Sequence, residues 1–280
     1  MAEIIDGKLL AAELEAELKA NVLKMKQKPV LATILVGNDP SSVTYVKMKQ
    51  NACTRVGIDF IKIELPENTT TEQLLKKIEE LNDNKNINGI LLQHPVPKHI
   101  NEGQCFDAIK PIKDVDGCSS TNFGMMCLRN TQYHLAATPF AIVSLLERFN
   151  IDVKGKYAVV IGRSQILGKP IAMMLLNMDA TVTICHSKTV NLKDIVRTAD
   201  IVVAAVGNAE FVKREWLKKG VVLIDAGYNK GNVGDIDLEN CKDIASAYTP
   251  VPGGVGPVTI MKLLQQTYKS ALLIQTGKFK

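Results

Sequence analysis

Much is missing from this chain, and each absence removes a class of function. No apolar run approaches the length that a membrane span needs. No C-x-x-C pair occurs, and no histidine–cysteine cluster has metal-ligand spacing, so no metal site is expected. The six cysteines, Cys53, Cys105, Cys118, Cys127, Cys185 and Cys241, are scattered, as reduced thiols of a cytoplasmic protein would be. The opening residues, MAEIIDGKLLAAELEAELKA, carry acids where a secretory leader needs a basic start, so no signal peptide is expected. The lysines are interleaved with acids, and the net charge of +5 forms no stripe. That speaks against a nucleic-acid partner and is compatible with small anionic ligands. Short-period repeats and low-complexity tracts are absent as well.

What is present is an alternation of apolar runs and helical patterns over 280 residues, enough for two domains. An opening helix is predicted near 7–27. LATILV (31–36), FIKIEL (60–65) and GILLQ (89–93) read as buried strands, with helices near 42–56 and 71–83. Residues 110–137 lose periodicity, and Thr138-Pro139 reads as the start of a helix to about 149. A second set follows: KYAVVI (156–161), ATVTIC (180–185), DIVVAAV (200–206) and VVLIDA (221–226) as strands, with helices after Gly168 and near 191–198. TPVPGGVGP (249–257) is a loop, and a last helix runs from about 258 to 274. Strands alternating with helices mean parallel sheet. The expected fold class is α/β: two α/β domains around a cleft, the second Rossmann-like.

The most informative stretch is VVIGRSQILGKP, residues 159–170. A strand that ends in glycine and turns into a helix gathers backbone N–H groups and a positive helix end at one spot, which favours an anion. Gly162 would permit the tight turn and Gly168 the close approach of the helix, whereas on glycines alone an ordinary βα turn is the simpler reading. The following strand bears on cofactor choice. NAD-binding folds carry an acid near its end for the ribose 2′-hydroxyl. Here the strand runs into His186-Ser187-Lys188-Thr189, with no acid. Arg163, Ser187 and Lys188 could instead bind a 2′-phosphate, so the site is expected to take NADP.

VVIGRSQILGKP, ATVTICHSKT, KDVDG, TPVPGGVGPVT, GILLQHPVP and PSSVTYVKMK, taken together, closely resemble the bifunctional methylenetetrahydrofolate dehydrogenase/methenyltetrahydrofolate cyclohydrolase family. The resemblance covers nearly the whole chain. It implies a folate/catalytic domain over 1–138, joined by the C-terminal helix at about 258–280, and an NADP-binding domain over 139–257. It also implies a homodimer and two activities. The first is oxidation of 5,10-methylene-tetrahydrofolate with NADP, and the second is hydrolysis of the methenyl product to 10-formyl-tetrahydrofolate. Hydride transfer leaves a resonance-stabilised cation and needs positioning rather than a proton acceptor. Ring opening by water needs proton transfer.

Tyr45 and Lys49 lie four apart on one predicted helix face. A lysine beside a cationic ligand has a lowered pKa. The resemblance makes Lys49 the catalytic lysine, Tyr45 its partner and Ser42 a substrate contact; on residue type alone Lys49 is a solvated-face lysine. Gln93 ends an apolar strand, at the end of a parallel sheet where ligands bind. It is either a strand-terminal polar group or, by resemblance, a partner of Lys49 or of the folate. Asp116-Gly117 reads as a turn; by resemblance, Asp116 grips the paired N–H edge of the pterin, and Asp114 is structural. Gly253, Gly254 and Val255 form either a rigid turn or backbone laid against a ligand. By resemblance, Gly162, Arg163, Ser164, Gly168 and Ser187 hold the cofactor. The chain departs from the family pattern at Cys118-Ser119-Ser120, at residues 136–141 and at His94. Two other readings fit less: an NADP dehydrogenase of another small substrate, and a non-catalytic paralogue that binds folate or NADP.

Overall fold

In a computed structural model the described residues are 2–129 and 134–277. In chain order they form β1 (Glu3–Ile4), α1 (Gly7–Val22), β2 (Val30–Val36), α2 (Pro40–Val56), β3 (Asp59–Leu65), α3 (Thr71–Asp83) and β4 (Gly89–Leu92). Then come α4 (Glu102–Ala108), α5 (Ser120–Cys127), α6 (Ala137–Arg148), β5 (Tyr157–Ile161), α7 (Gly168–Asn177) and β6 (Thr181–Cys185). The chain continues through α8 (Leu192–Arg197), β7 (Ile201–Ala204), β8 (Val222–Asp225), α9 (Leu238–Cys241), β9 (Ala247–Tyr248) and α10 (Val255–Thr276).

The chain divides into two compact units. One holds Glu13–Ala137 and the chain from Ile260 onward; the other holds the residues through Ala12 and Thr138–Thr259. The first unit is built on a parallel sheet in the order β3-β2-β4. Its central strand, β2, is buried along nearly its whole length, as a strand covered on both faces must be. β3 departs from the expectation of a buried strand. It lies at the sheet edge and is exposed or half-buried throughout, because FIKIEL carries Lys62 and Glu64 between its apolar residues. The last helix is stitched into this unit by Gln266. Its amide donates to the carbonyls of Val115 (2.7 Å) and Leu135 (2.9 Å) and accepts from the Leu135 N–H (2.7 Å).

The second unit is built on a fully parallel sheet in the order β1-β9-β8-β7-β5-β6. β5 and β7 are adjacent, so the strand order reverses at β5, the position where open α/β sheets bind ligands beyond the strands' carboxyl ends. One face of the sheet is covered by a core that includes Val159, Ile161, Val202, Leu223 and Trp216.

β1 and β9 escaped the apolar pattern because each has two residues. α5 forms inside the stretch that lacks periodicity. Ser119 caps it, accepting from the Asn122 N–H. Gly7, at the start of α1, sits where a Cβ would lie 1.7 Å from the Gly254 carbonyl oxygen. Gly124, in α5, faces open space. Gly7→Ala should therefore destabilise the protein by about 1–3 kcal/mol, whereas Gly124→Ala should be neutral or stabilising by up to about 1 kcal/mol. Denaturant midpoints check both, and equal midpoints for the two variants would remove the close approach from the account.

Candidate active site

Lys49 sits in the third turn of α2, one turn beyond Tyr45 and on the same side of the helix. α2 is positioned by Asp39, which accepts the Ser42 N–H (2.8 Å), by Pro40 in the first turn, and by Gly57, which ends the helix at φ 84°. Ser42 is buried. The Lys49 ammonium donates to Gln93 Oε1 at 2.9 Å. Gln93, just past β4, is fixed at both ends. Its N–H donates to the Ile34 carbonyl (2.9 Å) and its Nε2 to the His94 carbonyl (2.7 Å). The next turn is tied by Glu102, whose Oε1 lies 2.6 Å from His94 Nδ1 and accepts the Val96 N–H at 3.3 Å.

The residue is part-exposed, but its ammonium is densely surrounded by protein. That burial lowers the Lys49 pKa. The negative charge of Asp116 opposes the shift. Burial pushes the Cys53 thiol up to about 12 and the Cys118 thiol well above its usual range, Asp116 adding to the latter. Both thiols are thereby held protonated and inert as nucleophiles.

Asp116 is carried by a turn that its neighbours build. Asp114, fully buried, accepts from the Cys118 N–H (3.2 Å), the Ser119 N–H (2.9 Å) and Asn122 Nδ2 (2.8 Å). Burial raises its pKa against those donors. The Asp116 carbonyl accepts the Ala137 N–H (3.0 Å), and Cys118 Sγ lies 3.6 Å from Asp116 Oδ2. Gly117 is required here. Its φ is 66°, and a Cβ would meet the Leu135 carbonyl group at 2.3 Å.

In the six-stranded unit, Gly162 has φ 125°, and a Cβ there would lie 2.2 Å from the Ala205 carbonyl oxygen. A Cβ on Gly168 would lie 2.4 Å from the Gly162 carbonyl oxygen and 2.7 Å from the Arg163 N–H nitrogen. The strand, the turn and the start of α7 are therefore pressed together, and Ser164 Oγ accepts the Gly168 N–H at 3.2 Å. Arg163 and Ser164 are exposed beyond β5, and Ser187 is exposed beyond β6. His186 closes its own turn, its Nδ1 accepting the Lys188 N–H at 3.1 Å. Gly253, Gly254 and Val255 are buried, with Gly253 at φ 110°.

The structure thus brings Lys49 and Gln93 into contact, with Asp116 in electrostatic reach, and gathers Gly162, Arg163, Ser164 and Gly168 in one turn. Two residues passed over in the sequence, Asp225 and Asp235, organise the loops beyond β7 and β8. The visible signal was a strand ending in an acid, with a second acid following glycine in Val233-Gly234-Asp235. Among the described residues no group of histidine, cysteine, aspartate and glutamate side chains could hold a metal ion, and no helix is long and apolar enough to cross a membrane.

Two family models match the chain. Residues 5–116 match the tetrahydrofolate dehydrogenase/cyclohydrolase catalytic domain, and residues 136–275 its NAD(P)-binding domain. A bifunctional protein FolD from Cellvibrio japonicus is 60% identical over 96% of this chain and 97% of its own length. The crystal structure of the FolD methylenetetrahydrofolate dehydrogenase/cyclohydrolase from Campylobacter jejuni superposes with a TM-score of 0.94 at 42% identity, covering 97% of this chain and 99% of its own. The Trypanosoma brucei enzyme, complexed with NADP cofactor and inhibitor, gives 0.93 at 35% identity, covering 100% of this chain and 99% of its own.

The charge balance at Lys49 can be tested directly. Asp116 raises the Lys49 pKa against the dominant effect of burial, so Asp116→Asn should lower it further. NMR titration of the Lys49 ε-position reads this, and an unchanged or raised value would remove Asp116 from the ammonium's surroundings.

Proposed function

The chain belongs to the tetrahydrofolate dehydrogenase/cyclohydrolase family, and from that premise we propose that it oxidises 5,10-methylene-tetrahydrofolate with NADP and hydrolyses the methenyl product to 10-formyl-tetrahydrofolate. The observation that carries this reading is the 2.9 Å contact between the Lys49 ammonium and Gln93 Oε1, in a setting that lowers the lysine pKa. Burial makes this amine easier to deprotonate than an ordinary lysine, which is the direction a proton-transfer group needs.

NADP, when bound, accepts the hydride. The turn from Gly162 to Gly168 fits it. Without side chains at Gly162 and Gly168 the strand, the turn and the start of α7 close on one another, and the N–H groups at the start of α7 would face a pyrophosphate. Arg163 and Ser187 would hold the 2′-phosphate, with no acid nearby in sequence to repel it. On the substrate side, Asp116 would accept the paired N–H groups of the pterin, with Ser42, Gly253, Gly254 and Val255 as further contacts. Oxidation leaves a positive charge on the folate, and the chain's work there is orientation. In the second step Lys49, held by Gln93 and aligned with Tyr45, moves the proton as water adds and the ring opens. A cytoplasmic homodimer completes the reading. Its support is the family resemblance and the six dispersed cysteines.

The division of labour predicts how Lys49→Met behaves. Cyclohydrolase activity should be abolished while dehydrogenase activity stays measurable, and methenyl-tetrahydrofolate should accumulate, followed by its absorbance. Normal hydrolysis in the variant would sink the assignment, and loss of both activities in folded protein would make Lys49 a substrate-positioning group instead.

Cofactor choice has its own test. Arg163→Ala should raise the NADP KM about tenfold or more, the scale of one lost charge-assisted hydrogen bond, and leave the NAD KM nearly unchanged. Equal use of NAD and NADP by the unmodified protein would overturn the 2′-phosphate reading.

A further inference from the structure

The loops after β7 and β8 are closed onto each other by two internal carboxylates. Asp235 is fully buried. Its Oδ2 accepts the N–H groups of Val206 (2.6 Å) and Gly207 (2.9 Å). Its Oδ1 accepts the Asn208 N–H (3.0 Å) and the Asn229 side-chain amide (3.0 Å). Three successive backbone amides converging on one anion make a nest of the kind that elsewhere holds a phosphate. Here the chain fills the nest itself.

Asp235 is braced by Asp225 at the end of β8. Asp225 Oδ1 accepts the N–H groups of Gly227 (2.9 Å) and Asp235 (2.9 Å), and Oδ2 accepts the Ile236 N–H (2.8 Å). The Asp225 N–H in turn donates to Thr249 Oγ1 (2.8 Å), at the head of the proline–glycine loop. The space is tight. A Cβ on Gly227 would lie 2.3 Å from the Asp235 carboxyl group, and one on Gly234 2.0 Å from Asp225 Oδ2.

One residue before the nest lies Ala205. Its N–H donates to the Ile161 carbonyl (2.8 Å), and its own carbonyl is the surface against which Gly162 packs. The seat of the Gly162 turn is therefore continuous with the three amides that Asp235 holds. Removing that carboxylate would leave buried N–H groups unsatisfied, and the backbone would move to repair them.

We propose that Asp235, braced by Asp225, is the positioning residue for the cofactor turn: it sets the backbone on which Gly162 rests without touching the cofactor. The inference rests on the reading of Gly162–Gly168 as the NADP turn, and the test separates the two. Asp235→Asn removes two acceptor positions at nearly constant volume. Gly227→Ala keeps the charge and displaces the carboxylate, and it carries the test if the first variant does not fold. Arg163→Ala probes the turn itself. For each, NADP and tetrahydrofolate dissociation constants are measured by equilibrium titration well below the melting temperature.

Asp235→Asn and Gly227→Ala should each weaken NADP binding about tenfold or more, the scale of a lost charge-assisted bond, while folate binding, which the brace reaches only through Thr249, changes less than about twofold. General loosening would weaken both ligands together and would overturn the proposal. If Arg163→Ala weakens NADP binding and neither of the other variants does, the positioning role fails and the cofactor turn stands. If Arg163→Ala also leaves NADP binding intact, the reading of the turn fails and the proposal falls with it.

Discussion

Backbone amides left over at the ends of parallel strands must find acceptors, and in both units this chain supplies them as buried carboxylates. Asp114 does so for the turn that presents Asp116, and Asp225 with Asp235 for the loops beyond β7 and β8. An orphaned buried N–H costs on the order of 1–3 kcal/mol, so each carboxylate holds its loop to a single course. Burial of the charge works the other way. The Asp225 carboxyl is pushed up to about 6, chiefly by desolvation, against three backbone donors and with Asp235 adding repulsion. A carboxyl whose folded value lies above its ordinary one opposes folding when ionised, and that opposition fades as pH falls through about 6 towards 3.8. Asp225 is therefore better understood as fixing geometry than as adding net stability.

The same tension governs Lys49. Enclosure favours the neutral amine, and the negative charge of Asp116 favours the ammonium. Gln93, neutral and held by the Ile34 and His94 backbone, orients the group without adding charge. An anionic partner there would oppose the lowered pKa, whereas an amide leaves the balance to burial and Asp116. The protonation state of the lysine thus depends on one neighbouring carboxylate and on how much water reaches the site.

The parts of this arrangement legible in the sequence are those with a local cause. β5 and the turn after it could be read because an apolar run ends in Gly162 and a helix pattern begins at Gly168. The shared face of Tyr45 and Lys49 follows from helix period alone. The Lys49–Gln93 contact spans 44 positions and came only through family resemblance. The apolar content of FIKIEL suggests a buried strand, whereas the alternation of Lys62 and Glu64 through it marks the exposed face that its place at the sheet edge gives it. Asp235 was passed over because its worth depends on amides nearly thirty residues earlier in the chain. An acid after glycine carries no local sign of what it will accept.

Glu3 pairs with Ala247, so the six-stranded sheet takes one edge strand from the start of the chain and the neighbouring strand from near its end. During synthesis at about 5–20 residues per second, β1 leaves the ribosome on the order of tens of seconds before its partner exists. Until β9 appears, the Ile5 N–H lacks the Tyr248 carbonyl that accepts it in the finished protein. The nascent chain therefore carries β1 without its sheet partner while β2 through β8 are made.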